Sequence, residues 1–251
     1  MTTPHDDLLF DVATPPTPAE RLLLLADQYV QHNDTLDRLM GAARPSSLDA
    51  HAASAQLLAS ATRTTIKAVT DERLYESHAM WDAMVRLHQL AFLSSASADQ
   101  TLQAARTMTA LAPEAALGCA ESVAQEITRA RGRTGVAPLC ELTAAQHGAL
   151  REIACGHIAA TRSLGRQYVR YRDEQVLIGT LRSLEAKGLA ERVTASVPSV
   201  YAGGPPQDRV RLTAAGTTAL AAALPGPSTA RPSGKAPAPS PITAKTASRS
   251  R

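Results

Sequence analysis

Leu177-Ile178-Gly179-Thr180-Leu181-Arg182-Ser183-Leu184-Glu185-Ala186-Lys187-Gly188 is the stretch whose reading decides the fold. Leu177, Leu181 and Leu184 recur at i, i+4 and i+7, the spacing that places apolar side chains on one helix face, and Ile178 widens the stripe. Gly179, Thr180, Ser183 and Lys187 fall on the opposite side, flanked by Arg182. A front of small and hydrogen-bonding side chains can lie close against something flat and polar. Gly188 stands where a helix stops at a residue that tolerates positive φ. Leu189, Ala190, Glu191, Arg192 and Val193 follow at once, so the segment predicts a short, apolar-backed helix running into a strand.

The flanking residues give that helix its setting. Leu142, Thr143, Ala144, Ala145 and Gln146 carry a capping-box pattern, in which the Thr and Gln side chains satisfy orphan backbone N–H groups. The helix they open buries Leu150, Ile153 and Ala154 and runs to about Gly156. In Ile158–Arg172, Arg166, Tyr168, Arg170 and Arg172 share one face and Val169 and Tyr171 the other, around Ser163, Leu164 and Gly165. Alternation of period two about a glycine turn predicts a β-hairpin. A helix is the competing reading, because a conventional helix-turn-helix needs a supporting helix here. Downstream, Ala190–Val197 reads as a strand, Pro198–Pro206 as a loop tip, Arg209–Leu212 as a second strand, and Thr213–Gly216 as the start of a helix ending near Leu224. From Pro225 the chain has no acid and almost no large apolar side chain, so residues 225–251 are expected to be a disordered basic tail.

The first half reads as helices. Thr17, Pro18, Ala19 and Glu20 form a capping box with Pro at the first helical position, and the helix continues through Leu22–Leu25, Tyr29, Val30 and Leu36 to near Gly41. A second helix starts about Leu48. Thr70 and Asp71 read as the cap of a third, which holds Met80, Trp81, Met84, Leu87, Leu90 and Phe92 and is interrupted at Ser94–Ser97. Two Ala-rich helices follow, about Ala98–Leu111 and Pro113–Arg131. Five helices with short links predict an antiparallel bundle. The expected organisation is mainly α: a flexible arm 1–16, a helical bundle 17–133, a linker 134–141, an α+β unit 142–224 and the tail 225–251. In the arm, Asp6, Asp7, Leu8, Leu9 and Phe10 suit a docking peptide or a segment that folds back on its own chain. Arg129, Arg131 and Arg133 suit an arm entering the minor groove of DNA or a solvated helix end.

Charge is divided along the chain. Residues 1–136 hold 11 Lys and Arg against 16 Asp and Glu, residues 137–223 hold 10 against 7, and residues 224–251 hold 5 against none. An acidic front and a basic back point to a polyanionic partner for the back half. Cys119, Cys140 and Cys155 are odd in number and far apart, which argues against a disulfide framework and a zinc site. With no signal-like leader and no long apolar run, a cytoplasmic, nucleoid-associated protein without a membrane partner is expected.

Residues 142–223 resemble the winged helix-turn-helix domain of MarR-type and related bacterial transcriptional regulators. The resemblance rests on Leu142–Gln146, Thr180–Leu189 and Asp208–Gly216 in that order and spacing. It implies a recognition helix in the major groove of double-stranded DNA, a wing on the backbone or minor groove, and a homodimer on a near-palindromic site. Phosphate contacts are expected from Arg166, Arg170, Arg172, Arg209 and Arg211. Base reading is expected from the front that carries Gly179, Thr180, Arg182, Ser183 and Lys187. The bundle has no such likeness; it would dimerise the protein or sense a small-molecule or protein effector. The alternative function is a protein-interaction adaptor that uses the winged fold as a packing module. No cofactor, metal or catalytic residue is expected. There is no phosphate loop, nucleophile elbow or H-E-x-x-H, and His88 lies off the face that His78 and Asp82 share.

Overall fold

The structure is a computed structural model, and it describes residues 15–41, 48–74, 77–131, 142–163, 166–172, 174–199 and 204–224. Most of the arm, the linker, the tip of the second hairpin, Cys140 and the tail lie outside the described residues. The elements are α1 Pro18–Gly41, α2 Leu48–Asp71, α3 His78–Ser97, α4 Leu102–Thr109, α5 Ala112–Arg131, α6 Ala144–Ala154, β1 Ala159–Ser163, β2 Arg166–Arg170, α7 Ile178–Ala186, β3 Ala190–Val197, β4 Gln207–Leu212 and α8 Ala214–Ala223. The chain is mainly helical with one small antiparallel sheet.

Among the N-terminal helices, α1 packs on α5, α2 and α4, and α3 on α2, α5 and α4. The Thr17 capping box forms as its residues predict, with Thr17 N–H donating to Glu20 Oε2 at 2.8 Å and Glu20 N–H to Thr17 Oγ1 at 3.3 Å. Leu22, Leu23, Leu25, Tyr29 and Leu36 fill the core from α1. The buried Tyr29 hydroxyl is satisfied by Thr62 at 2.9 Å and Ser94 at 2.7 Å. Two expectations are corrected here. Thr70 and Asp71 do not cap α3; they end α2, and Ser77 caps α3 by accepting from Met80 N–H at 3.2 Å. Nor does Ser94–Ser97 interrupt α3, because Ser94 returns its hydroxyl to the Leu90 carbonyl at 2.8 Å and so stays within the helix.

In the C-terminal part the capping box of Thr143 and Gln146 opens α6. Residues 159–163 and 166–170 form an antiparallel strand pair, not a helix, with Ala159 opposite Arg170 and Ser163 opposite Arg166. The sheet order is β2-β1-β4-β3. Ala159 pairs with Arg209 and Ala160 with Asp208, so β1 advances towards its turn as β4 runs back towards the 198–206 connection. Both hairpins therefore turn at the same end of the sheet. The β3–β4 ladder shifts register between Val193 and Val197, where Ala195 has φ 52° and its N–H donates to Asp208 Oδ1 at 3.0 Å.

The helix read from Leu177–Gly188 is present as α7, with one correction. Leu177 is 61% exposed, because it is the N-cap with extended backbone and lies outside the helical register; Leu181 and Leu184 are buried, and Val176 takes the core position before them. Gly188 has φ +67° and ends the helix as expected. A single cluster of buried apolar side chains runs from Leu22, Tyr29 and Val123 of the N-terminal helices into Leu150, Leu181, Val210 and Leu220. No helix among the described residues is long and apolar enough to cross a membrane.

Candidate nucleic-acid interface

Helix α7 lies against both edge strands, β2 and β3. Arg182 donates to Gln167 Oε1 of β2 at 3.0 Å, and Arg192 of β3 forms an ion pair with Glu185. The edge of α7 that carries Gly179, Arg182 and Ala186 is exposed, and Thr180 is half-buried. Ser183 and Lys187 turn towards α6 instead, where the Gln146 side chain donates to Ser183 Oγ at 3.0 Å and accepts from Lys187 Nζ at 3.1 Å. The predicted base-reading set thus divides into an outward edge and a pair engaged with the α6 cap.

The predicted phosphate contacts divide further. Side chains alternate across a strand, so with Gln167 and Val169 on the α7 side, Tyr168 and Arg170 point to the other face. Arg170 is exposed, and Tyr168 is 49% exposed. Arg166 sits at the last pair of the ladder, opposite Ser163. Arg209 and Arg211 share the face of Arg170, and that face meets α1: Arg209 makes a bidentate pair with Asp34, and Arg211 one with Asp27. The Arg209 and Asp34 side chains are only 12% and 8% exposed. Arg172 donates to Glu114 Oε1 of α5 at 3.1 Å. Three of the five arginines read as phosphate contacts are therefore held by acids of the N-terminal helices.

Those acids were not picked out from the sequence. Asp27 and Asp34 are seven residues apart, which puts both on one face of α1, and Arg209 and Arg211 are two apart, which puts both on one face of β4. Matched spacings of this kind are the signal that could have found the pairing. Arg209 also donates to the Gly156 carbonyl and, at 3.4 Å, to the Ile158 carbonyl, so it ties α1, β4 and the α6–β1 turn together. In that turn Gly156 has φ +73° and faces Val30 so closely that a Cβ would stand 2.6 Å from Val30 Cγ2. His157 lies between Glu152 and Glu114, 3.0 Å from each, and bonds to the two carboxylates hold its proton above the usual histidine range. Burial tends to raise the Glu114 carboxyl, but bonds from His157 and the nearby Arg172 charge leave it below the usual range.

Among the described residues no group of three or more His, Cys, Asp or Glu could hold a metal ion. His78 and Asp82 approach to 3.6 Å on an exposed surface, and the His78 ring stacks on Trp81. Burial pushes the Cys119 and Cys155 thiols up, to about 11 and about 12. No protein-family model, curated protein or solved structure matches this chain.

Proposed function

We propose that residues 142–224 form a winged helix-turn-helix module that binds duplex DNA, with α7 as the reading helix and residues 17–131 as a helical bundle that dimerises the protein or senses an effector. One observation carries this reading: α7 contacts both edge strands with Gly179, Arg182 and Ala186 exposed, and β1 and β4 are paired so that the two hairpin connections lie towards one end of the sheet. A helix edge with small residues and one arginine permits close approach to base edges, and arginine can address guanine. The β1–β2 hairpin takes the place of the supporting helix. Arg170, exposed on the edge strand but on the sheet face away from α7, is the phosphate contact left free for a duplex that reaches this edge, whereas Arg209 and Arg211 hold the wing strand to α1. The protein acts on transcription as a homodimer in this reading.

Selection of bound fragments from a random duplex pool with the full chain tests it. The expected result is enrichment of a near-palindromic sequence whose affinity falls with salt, with a log–log slope of about 0.9 per phosphate neutralised. Failure to enrich any duplex, or affinity indifferent to salt, overturns it. A protein-interaction adaptor is the second reading, favoured by Trp81 and Phe92, 63% and 71% exposed on one side of α3. Nuclease-insensitive capture of a protein partner, lost in Trp81→Ala, combined with no enriched duplex, decides for the adaptor.

A further inference from the structure

The base of the β1–β2 hairpin is gripped by one carboxylate. The ladder ends with Ala159 opposite Arg170, and continuing its register two positions further sets His157 opposite Arg172, just past the paired residues. Both donate to the same atom, Glu114 Oε1 of α5, His157 through Nε2 at 3.0 Å and Arg172 through Nη1 at 3.1 Å. The other ring nitrogen of His157 meets Glu152 Oε2 of α6 at 3.0 Å. With both ring nitrogens facing carboxylates, both bonds need the doubly protonated imidazolium, since a neutral ring has only one N–H to donate.

We propose that His157 is a proton-responsive anchor: protonated, it fastens the β1–β2 hairpin to α5 and α6, and loss of its proton releases the start of the hairpin from Glu114 and weakens the grip of the α7 surface on duplex DNA. The link to duplex binding rests on the function proposed above. The mechanical link runs through Gln167, since β2, the strand that ends at this base, carries the side chain that accepts from Arg182 of α7.

Charge balance sets the direction. Of the four groups joined here, Glu114 and Glu152 are offset by Arg172 and protonated His157, so these four sum to zero with the proton and to one net negative charge without it. Among the described residues, the neighbouring charges are engaged elsewhere. Arg151 of α6 is paired with Glu121 of α5, Arg209 of β4 with Asp34 of α1, and the Cys155 thiol stays protonated. Bonds to Glu114 and then Glu152 raise the His157 proton affinity, so the anchor is complete below the ordinary histidine range and is lost as pH rises through the raised value. Each unit between the anchored and released affinities changes the anchoring equilibrium about tenfold.

Amide hydrogen exchange of the full chain from pH 5.5 to 8.5, corrected for intrinsic rates, tests the anchor without DNA. Protection of residues 159–163 and 166–170 is expected to fall about tenfold across this range while α1 and α5 keep theirs. His157→Gln is expected to show low hairpin protection at every pH. Glu114→Gln, at a partly exposed position, is expected to lose most of the pH response while the protein remains folded. Equal hairpin protection at both ends of the range in the wild type, or an unchanged pH response in His157→Gln, overturns the anchor. Affinity for a duplex selected from the random pool should follow the hairpin protection with pH. If the duplex binds and its affinity does not follow, the coupling is wrong; if no duplex binds, the functional reading fails and the exchange data still judge the anchor.

Discussion

Asp34→Ala is the perturbation that most directly tests how the two parts of the chain are joined. The substitution removes a carboxylate that is 8% exposed and leaves Arg209, 12% exposed, with the Gly156 and Ile158 carbonyls as acceptors but no counter-ion. Leaving one buried charge unpaired costs about 3–5 kcal/mol. For a chain of this size that corresponds to a loss of roughly 6–20 °C in Tm. The pair of Arg211 with Asp27 is a built-in control, because it has the same bidentate geometry but is 26% and 21% exposed. Asp27→Ala should therefore cost less, about 1–2 kcal/mol. The assay is urea denaturation followed by far-UV circular dichroism, applied to Asp34→Ala, Arg209→Ala and the double variant. Residues in one ion pair couple by roughly 0.5–3 kcal/mol, so the double variant should be less destabilised than the sum of the singles. Strict additivity, or an Asp34→Ala cost no larger than that of Asp27→Ala, would refute the assignment of Arg209 to the α1 junction.

Three further outcomes follow from named contacts. A Cβ at Gly216 would run into the Leu189 carbonyl, a backbone atom that cannot swing away, whereas one at Gly188 meets nothing within 4 Å; Gly216→Ala should therefore cost about 3 kcal/mol or more and Gly188→Ala, at φ +67°, only about 1, as read from urea midpoints. His32 is held neutral, with its proton affinity lowered to about 4 from 6.5, first by burial and then by the His51 and Arg106 charges. Its contribution is complete above the ordinary value and is lost as pH falls towards the folded value, about 2 kcal/mol by pH 5 and about 3 in all, and His32→Gln should flatten that part of the pH–stability curve. On a selected duplex, Arg182→Ala should relax preference at one base by about 1–3 kcal/mol, whereas Arg170→Ala should weaken binding to all sequences and lower the salt slope by about 1; equal effects on every sequence from both would contradict their assigned roles.

What the sequence made legible was local. The Thr17 and Thr143 boxes, the Gly188 stop and the alternation of Arg166–Arg172 each depend on residues within one turn or one strand pair, and each takes the form its chemistry requires. Leu177 was misplaced because i, i+4 spacing does not say where a helix starts, and the N-cap leaves the helical register. Trp81 and Phe92 show the same limit. A reading that counts apolar residues assigns them to the core, but Met80, Ala83, Leu87 and Leu90 already occupy the buried side of α3, which leaves both rings outward. The grip on the hairpin base was invisible for another reason, since Glu114 stands 43 residues from His157 and 58 from Arg172 and no periodicity links it to them.

The charge division has a meaning different from the one composition suggests. An acidic front and a basic back invite the inference that the back half seeks a polyanion. Yet Asp27 with Arg211, Asp34 with Arg209, Glu114 with Arg172 and Glu121 with Arg151 match acids of the N-terminal helices to arginines of the second part within one molecule. Each such arginine is lost as a counterion-releasing contact, so the electrostatic component of duplex binding should be small for the number of basic residues present. Sequence preference and salt dependence then fall on different residues. Arg182 keeps its exposed place on α7, bonded only to a neutral Gln167, and Arg170 stands alone on the edge strand among the described residues. For the duplex binding proposed above, the expected outcome is a shallow salt slope and a strong dependence on fit to the duplex. Under that proposal the fit follows how firmly α1 and α5 hold the two hairpins, and the acids of the N-terminal helices would take part in recognition without touching the DNA.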